Sequence, residues 1–150
     1  MAPLFSNVLV AVDGGELTET ITQYVLRLSP ETRASFVCAV DPEEFMTPAT
    51  AAIYGVEAEQ KTAIEAAQRT VDGCVAEAKS AGLKAAGYVV ASAPIDAIID
   101  LAETLDVDAI IMSSHGRRGF ARLVLGSVAE GVARRANIPV LLVPAELAED

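Results

Sequence analysis

The chain has no tryptophan, one histidine (His115) and two cysteines (Cys38 and Cys74) among its 150 residues. Zinc centres draw chiefly on cysteine and histidine, so this inventory supports none. Two cysteines make no disulfide framework, and each lies in an apolar context that suits a buried thiol. No apolar run approaches the roughly 20 residues that a bilayer span needs. The opening "MAPLFSNVLVAVDGG" carries no positive charge, and its apolar part stops at Asp13. These absences predict a chain without a secretory signal or membrane insertion, placed by default in the cytoplasm. Basic residues are also scarce, 11 against 21 acids, for a formal net charge of −10. A chain this acidic repels a phosphate backbone, which argues against general nucleic-acid binding.

What is present is an alternation. "NVLVAVD" (7–13), "ASFVCAV" (34–40), "AAGYVVAS" (85–92), "VDAIIMSS" (107–114) and "IPVLLVP" (138–144) are apolar runs of strand length. Between them lie helical patterns over 16–28, 57–81, 94 to about 105, and 127–136, several bounded by proline or glycine. Strands that are apolar almost throughout belong to parallel sheets covered on both faces. The order therefore predicts an α/β fold: one doubly wound open sheet of five mainly parallel strands, forming a single domain over 1–150. Residues 42–56 show no period and read as a long loop of the kind that often covers a site. Met46 and Tyr54 within it read first as anchors of that loop, and the acidic tail 145–150 reads as loose.

In open sheets of this kind ligands bind beyond the carboxyl ends of the strands, where the strand order reverses. The segments to weigh are Asp13-Gly14-Gly15, Asp41-Pro42, Ser92-Ala93-Pro94 and Ser113 to Gly119, with Ser127 at a helix start. Gly116 and Gly126 permit close approach of a ligand to the main chain. Ser127 offers a hydroxyl beside the unpaired N–H groups of a helix N-terminus, a natural place for an anion. From Arg117 to Arg135 five arginines face the single acid Glu130, a local +4, while the remainder of the chain carries −14. Together these residues describe a phosphate cradle.

Ser113-Ser114-His115-Gly116, followed after nine residues by Gly126-Ser127, resembles the Gly-x2-Gly-x9-Gly-Ser/Thr signature of universal stress proteins. The resemblance covers essentially the whole chain. "VLVAVDGGE" is similar to that family's first strand and loop, "APIDAIIDLA" to its third helix entry, and "GSVAEGVARRANIPVLLVP" to its last helix and strand. It implies a Rossmann-like fold of the adenine-nucleotide α-hydrolase type, with ATP or AMP in the cleft. Asp13 and Val40 match the adenine and ribose end, and Ser113 the glycine that approaches ribose and phosphates. Gly116, Gly126 and Ser127 match the residues that hold the phosphates. Ala11, Val12, Asp41, Ser114, His115 and Arg117 complete the candidate set, and Asp13 is the candidate partner of a Mg²⁺ ion arriving with ATP. The resemblance also implies a homodimer formed through the edge strand 138–144. Two departures stand out: Ser113 replaces the first signature glycine, and Ser92 a glycine often found two residues before Pro94.

Plainer readings compete at several positions. Asp13 is also a cap for its own turn, and Asp41 equally a ligand contact or a turn starter. His115 reads first as a loop residue bonding nearby backbone, Arg117 and Arg118 as solvated, and Gly119 as a turn glycine. No Walker glycine–lysine signature is present, and lysine is absent from 85 to 150. The functional expectation is a nucleotide-dependent regulatory switch in a stress response, with an unknown protein partner and at most slow ATP hydrolysis. The alternatives are an interaction or scaffold homodimer with an empty cleft, and a flavodoxin-like electron carrier, which the lack of tryptophan disfavours.

Overall fold

In the computed structural model, which describes residues 2–45, 56–115 and 125–144, each apolar run supplies one strand of one sheet. The strands are β1 (Asn7–Ala11), β2 (Arg33–Ala39), β3 (Lys84–Val90), β4 (Ala109–Ser113) and β5 (Val140–Val143). Among the described residues four α-helices connect them: α1 (Leu17–Val25), α2 (Val56–Ser80), α3 (Pro94–Leu105) and α4 (Ser127–Arg135). A 3₁₀ turn over Pro42–Phe45 follows β2, so the loop expected over 42–56 is ordered at its start. Its remainder, with Met46 and Tyr54, and the tail 145–150 lie outside the described residues.

The strand order is β3-β2-β1-β4-β5 and every ladder is parallel, so the sheet expected to be mainly parallel is wholly so. Side chains alternate between faces with a period of two. Val8, Val10, Phe36 and Cys38 pack with Ile21 and Val25 of α1 and Val71 and Cys74 of α2. Leu9, Val37, Ile110 and Met112 pack with Ile98 and Ala102 of α3 and Ala129 and Val132 of α4. Both phases of each inner strand are thus buried, which is why the sequence shows runs rather than alternation. Each such apolar side chain contributes roughly 1.5–3 kcal/mol on burial.

The helix boundaries have local causes. Ala67, Val71, Cys74 and Ala78 form the buried stripe of α2. That helix ends at Gly82, whose φ of +91° suits glycine. Gly82 N–H donates to Lys79 O at 3.0 Å and Leu83 N–H to Ala78 O at 3.0 Å, the paired bonds of a Schellman end. Helix α3 begins with Pro94 in its first turn and stops where Asp106 turns left-handed at φ 51°. At the amino ends of β1 and β4, the Asp108 carboxylate accepts from Ser6 N–H at 2.7 Å and Asn7 N–H at 2.9 Å. That clamp aligns the two strands whose other ends carry the candidate site.

The ladders stop short of the apolar runs at their carboxyl ends, and single bonds continue them. Val12 N–H reaches Val37 O at 2.9 Å, Val40 N–H reaches Val90 O at 2.8 Å, and Ser114 N–H reaches Val143 O at 3.0 Å. Beyond these bonds the chain leaves the sheet.

Candidate functional site

The strand order reverses between β1 and β4: β2 and β3 lie to one side, β5 to the other. The crevice beyond these two carboxyl ends is where a doubly wound sheet receives its ligand. Asp13 follows β1 and Ser113 closes β4, so two of the candidate residues flank the switch point.

The loop after β1 is built by its own polar groups. Asp13 Oδ1 accepts from Gly15 N–H at 2.8 Å, and Gly14 N–H donates to Thr18 Oγ1 at 3.0 Å. Gly14 sits at φ 78°, where a side chain would be strained. The turn reading of Asp13 is therefore correct as far as it goes, and it fixes one oxygen of the carboxylate beside the switch point. Thr18 was not among the candidates, although a threonine four residues past the first loop glycine is the signal that marks it. Ala11 is half-buried at the end of β1, and Val12 and Val40 are buried with their amides engaged by neighbouring strands. Asp41 is a turn starter: Oδ1 accepts from Glu43 N–H at 3.0 Å and its carbonyl from Glu44 N–H at 3.2 Å.

The second wall is the turn after β4. Ser114 and His115 are buried, and the Ser113 hydroxyl donates to the His115 carbonyl. Ser114 Oγ lies 3.0 Å from His115 Nδ1, while His115 Nε2 is buried without a partner among the described residues. Gly126 N–H donates to Ser114 O at 2.7 Å. That bond brings the end of β4 against the start of α4, joining residues twelve apart in number. Gly126, at φ −61° and ψ 151°, takes the N-cap position, and Ser127 is the first helical residue. Among the described residues no side chain caps this helix, and a helix N-terminus favours an acceptor at its first N–H groups. Gly116, Arg117, Arg118, Gly119 and Arg122 lie outside the described residues.

Of the five clustered arginines, Arg134 and Arg135 are the two that lie among the described residues. Arg134 and Arg135 stand at the far end of α4, about 12 Å from Ser127 at the rise of an α-helix. Arg134 pairs with Glu130 at 2.7 Å and Arg135 with Asp96 of α3 at 2.6 Å. Both are exposed pairs, of little electrostatic value to the cleft. Ser92, the second departure, occupies the turn before α3 with its N–H 3.2 Å from Val90 O. Neither Ser92 nor Ser113 has a positive φ, so neither backbone position requires glycine. Among the described residues no group of three or more histidine, cysteine or acidic side chains is placed to hold a metal ion. Cys38 and Cys74 are buried thiols outside any disulfide, and burial pushes the Cys74 thiol above its usual range.

A wholly parallel, doubly wound sheet with a helix N-terminus tied to the strand end at the switch point defines an open-sheet α/β protein. Comparison with known proteins makes this specific. The sequence profile of the universal stress protein family matches residues 4–144, and the chain belongs to that family. It is similar to Universal stress protein MJ0531 of Methanocaldococcus jannaschii, 27% identical over 148 residues, covering 93% of this chain and 82% of that protein. To Universal stress protein MJ0577 of the same organism it is 37% identical over 79 residues, 53% of this chain and 49% of that protein. The solved structure of MJ0577 superposes with a TM-score of 0.82 over 94% of this chain and 96% of that one, at 26% identity. More distant neighbours share the fold and are complexes with nucleotides. A universal stress protein from Archaeoglobus fulgidus holds dAMP (TM-score 0.65, 19% identity, 93% and 98% covered). Others hold cAMP and AMP, at 24% and 12% identity.

Proposed function

We propose that the crevice beyond β1 and β4 binds an adenine nucleotide, ATP or AMP, and that occupancy switches how the protein presents itself to a partner in a stress response. The observation that carries this reading is the Gly126 N–H to Ser114 O bond, 2.7 Å long. It sets a helix N-terminus beside the strand end at the switch point, where phosphate is favoured. In this reading Asp13 and Val40 line the adenine and ribose end, while Ser113, Gly116, Gly126 and Ser127 hold the phosphates. Mg²⁺ commonly binds through one or two carboxylates plus substrate phosphates. Asp13 would be its protein ligand when ATP is bound, contributing charge neutralisation. His115 is buried, with Nδ1 against Ser114, and so is shielded from water. That geometry supports a binding role with at most slow hydrolysis. A nucleotide shifts the population of partner-facing states only by its preference for one of them.

The test is to denature freshly purified protein, identify any released small molecule by mass spectrometry, and titrate emptied protein with ATP, AMP and Mg²⁺. Stoichiometric nucleotide with rebinding supports the reading. Gly126→Val should lose affinity; a variant binding ATP like the wild type defeats the assignment of the site.

The same reading includes a homodimer. β5 is an edge strand of four residues, with Leu141 38% exposed. An apolar edge invites pairing, and a two-fold partner strand satisfies it. Leu141→Lys should shift light-scattering mass toward the monomer, and a wild-type monomer at micromolar concentration contradicts the dimer. If the emptied protein ignores nucleotide yet remains dimeric, the interaction-scaffold alternative takes its place. No helix among the described residues is long and apolar enough to cross a membrane. The reading places the protein in the cytoplasm, which cell fractionation tests.

A further inference from the structure

Ser113 stands where the family signature begins with glycine, and its side chain has a definite task. The hydroxyl donates to the carbonyl of His115, two residues on, a bond glycine cannot make. The turn around it is anchored on every side. Ser114 N–H donates to Val143 O at 3.0 Å, and Ser114 O accepts from Gly126 N–H at 2.7 Å. Ser114 Oγ meets His115 Nδ1 at 3.0 Å. His115 is only 7% exposed, and its Nε2 has no partner among the described residues. A buried unsatisfied nitrogen is costly, and each such group calls for an explanation. The Ser114 hydroxyl meets the ring, while the Ser113 hydroxyl holds the backbone that carries it.

We propose that Ser113 is a positioning residue for the phosphate loop. Its hydroxyl fixes the 113–115 turn in the ligand-free protein in the form a nucleotide needs, so the serine aids binding rather than obstructing it. This rests on the nucleotide reading of the cleft. A glycine at 113 leaves the turn to be ordered at the moment of binding, and that ordering weakens affinity. The serine bond transfers part of the ordering to folding. Apparent affinity falls by the fraction of molecules that are binding-competent, which sets the sign of the effect. The non-positive φ at Ser113 means that the side chain is accommodated without backbone strain.

The test compares wild type with S113A, S113G and S113T, titrating each with AMP by calorimetry. The imidazole spectrum of ¹⁵N-histidine-labelled protein is recorded without ligand, where a single histidine gives a single ring to read. S113A and S113G should bind AMP about threefold to tenfold more weakly, the range of one net hydrogen bond. S113T, which restores the hydroxyl, should regain most of that loss. The ligand-free imidazole signals should broaden or move in S113A and S113G and stay in place in S113T. An S113G that binds AMP as well as the wild type, or better, overturns the proposal. If the wild type binds neither AMP nor ATP, the nucleotide reading is what fails. The positioning role then falls with it, whereas an S113G that matches a wild type which does bind AMP removes the positioning role and leaves the nucleotide reading standing.

Discussion

Gly126 can be probed by two substitutions, one that keeps its N–H and one that replaces that hydrogen with a ring carbon. Its φ of −61° lies where proline is already locked, so Gly126→Pro demands no new backbone angle there, but its Cδ is directed at Ser114 O. Gly126→Ala keeps the N–H at the same backbone position. Both replacements restrict the unfolded chain, each stabilising by about 0.4–1 kcal/mol where the native angles allow. Only proline deletes the 2.7 Å bond to Ser114 O. A lost net hydrogen bond costs roughly 0.5–1.5 kcal/mol, rising to about 3 if the acceptor stays buried and unpaired. Ser114 is 9% exposed, toward the buried limit. The lost bond alone should make the proline variant less stable than the alanine variant by about 1–2 kcal/mol, and the clash of its ring with Ser114 O adds to that lower bound. For a chain of this size, that is roughly 2–8 °C in thermal midpoint. Urea denaturation followed by far-ultraviolet circular dichroism gives the difference directly. AMP titration of both variants shows whether the clamp matters to the cleft. Equal midpoints together with equal affinities would refute the view that this bond joins the two halves of the site.

Phe36 is fully buried among the side chains beneath α1 and α2, so Phe36→Ala should cost about 3–5 kcal/mol by chemical denaturation. Asp108→Ala removes a carboxylate that accepts two backbone N–H groups at the amino ends of β1 and β4. It should destabilise by about 1.5–3 kcal/mol while leaving nucleotide affinity within about twofold, since the clamp lies at the opposite end of the strands. Cys38 and Cys74 are 4% and 5% exposed, and burial holds the Cys74 thiol protonated past its usual range. A thiol reagent at neutral pH should label neither cysteine in the native protein and both after unfolding, with Cys74 gaining reactivity only as pH rises well above that range; rapid native labelling at pH 7 contradicts the burial.

The sheet was legible because burial on both faces leaves a direct trace: Val8 to Val12 and Ala109 to Met112 are apolar in both phases of a strand. The helices were legible from Ala67-Val71-Cys74-Ala78 and from Pro94. The spatial relations were harder to read. Nothing local in "SSHG" and "GS" says that Gly126 N–H meets Ser114 O, because the bond depends on where β4 and α4 are set by the rest of the sheet. Asp41 illustrates a different difficulty, since an Asp-Pro pair offers the same letters whether its carboxylate faces a ligand or its own turn. The arginines misled in a third way. Closeness in sequence ignores the length of α4, which carries Arg134 and Arg135 to its other end and into pairs with Glu130 and Asp96. Thr18 and the Ser113 hydroxyl are local contacts, but short polar side chains serve so many turns that their partners emerge only with the coordinates.

The bond between Ser114 and Gly126 also pins two points of the chain, twelve residues apart, to one place beside the sheet. The entropy of closing a loop grows only with the logarithm of its length, about 0.6 kcal/mol for each doubling. The stability of the sheet therefore sets no particular number of residues between the two anchors. A spacing held at nine between Gly116 and Gly126 is one that recognition, rather than folding, would demand.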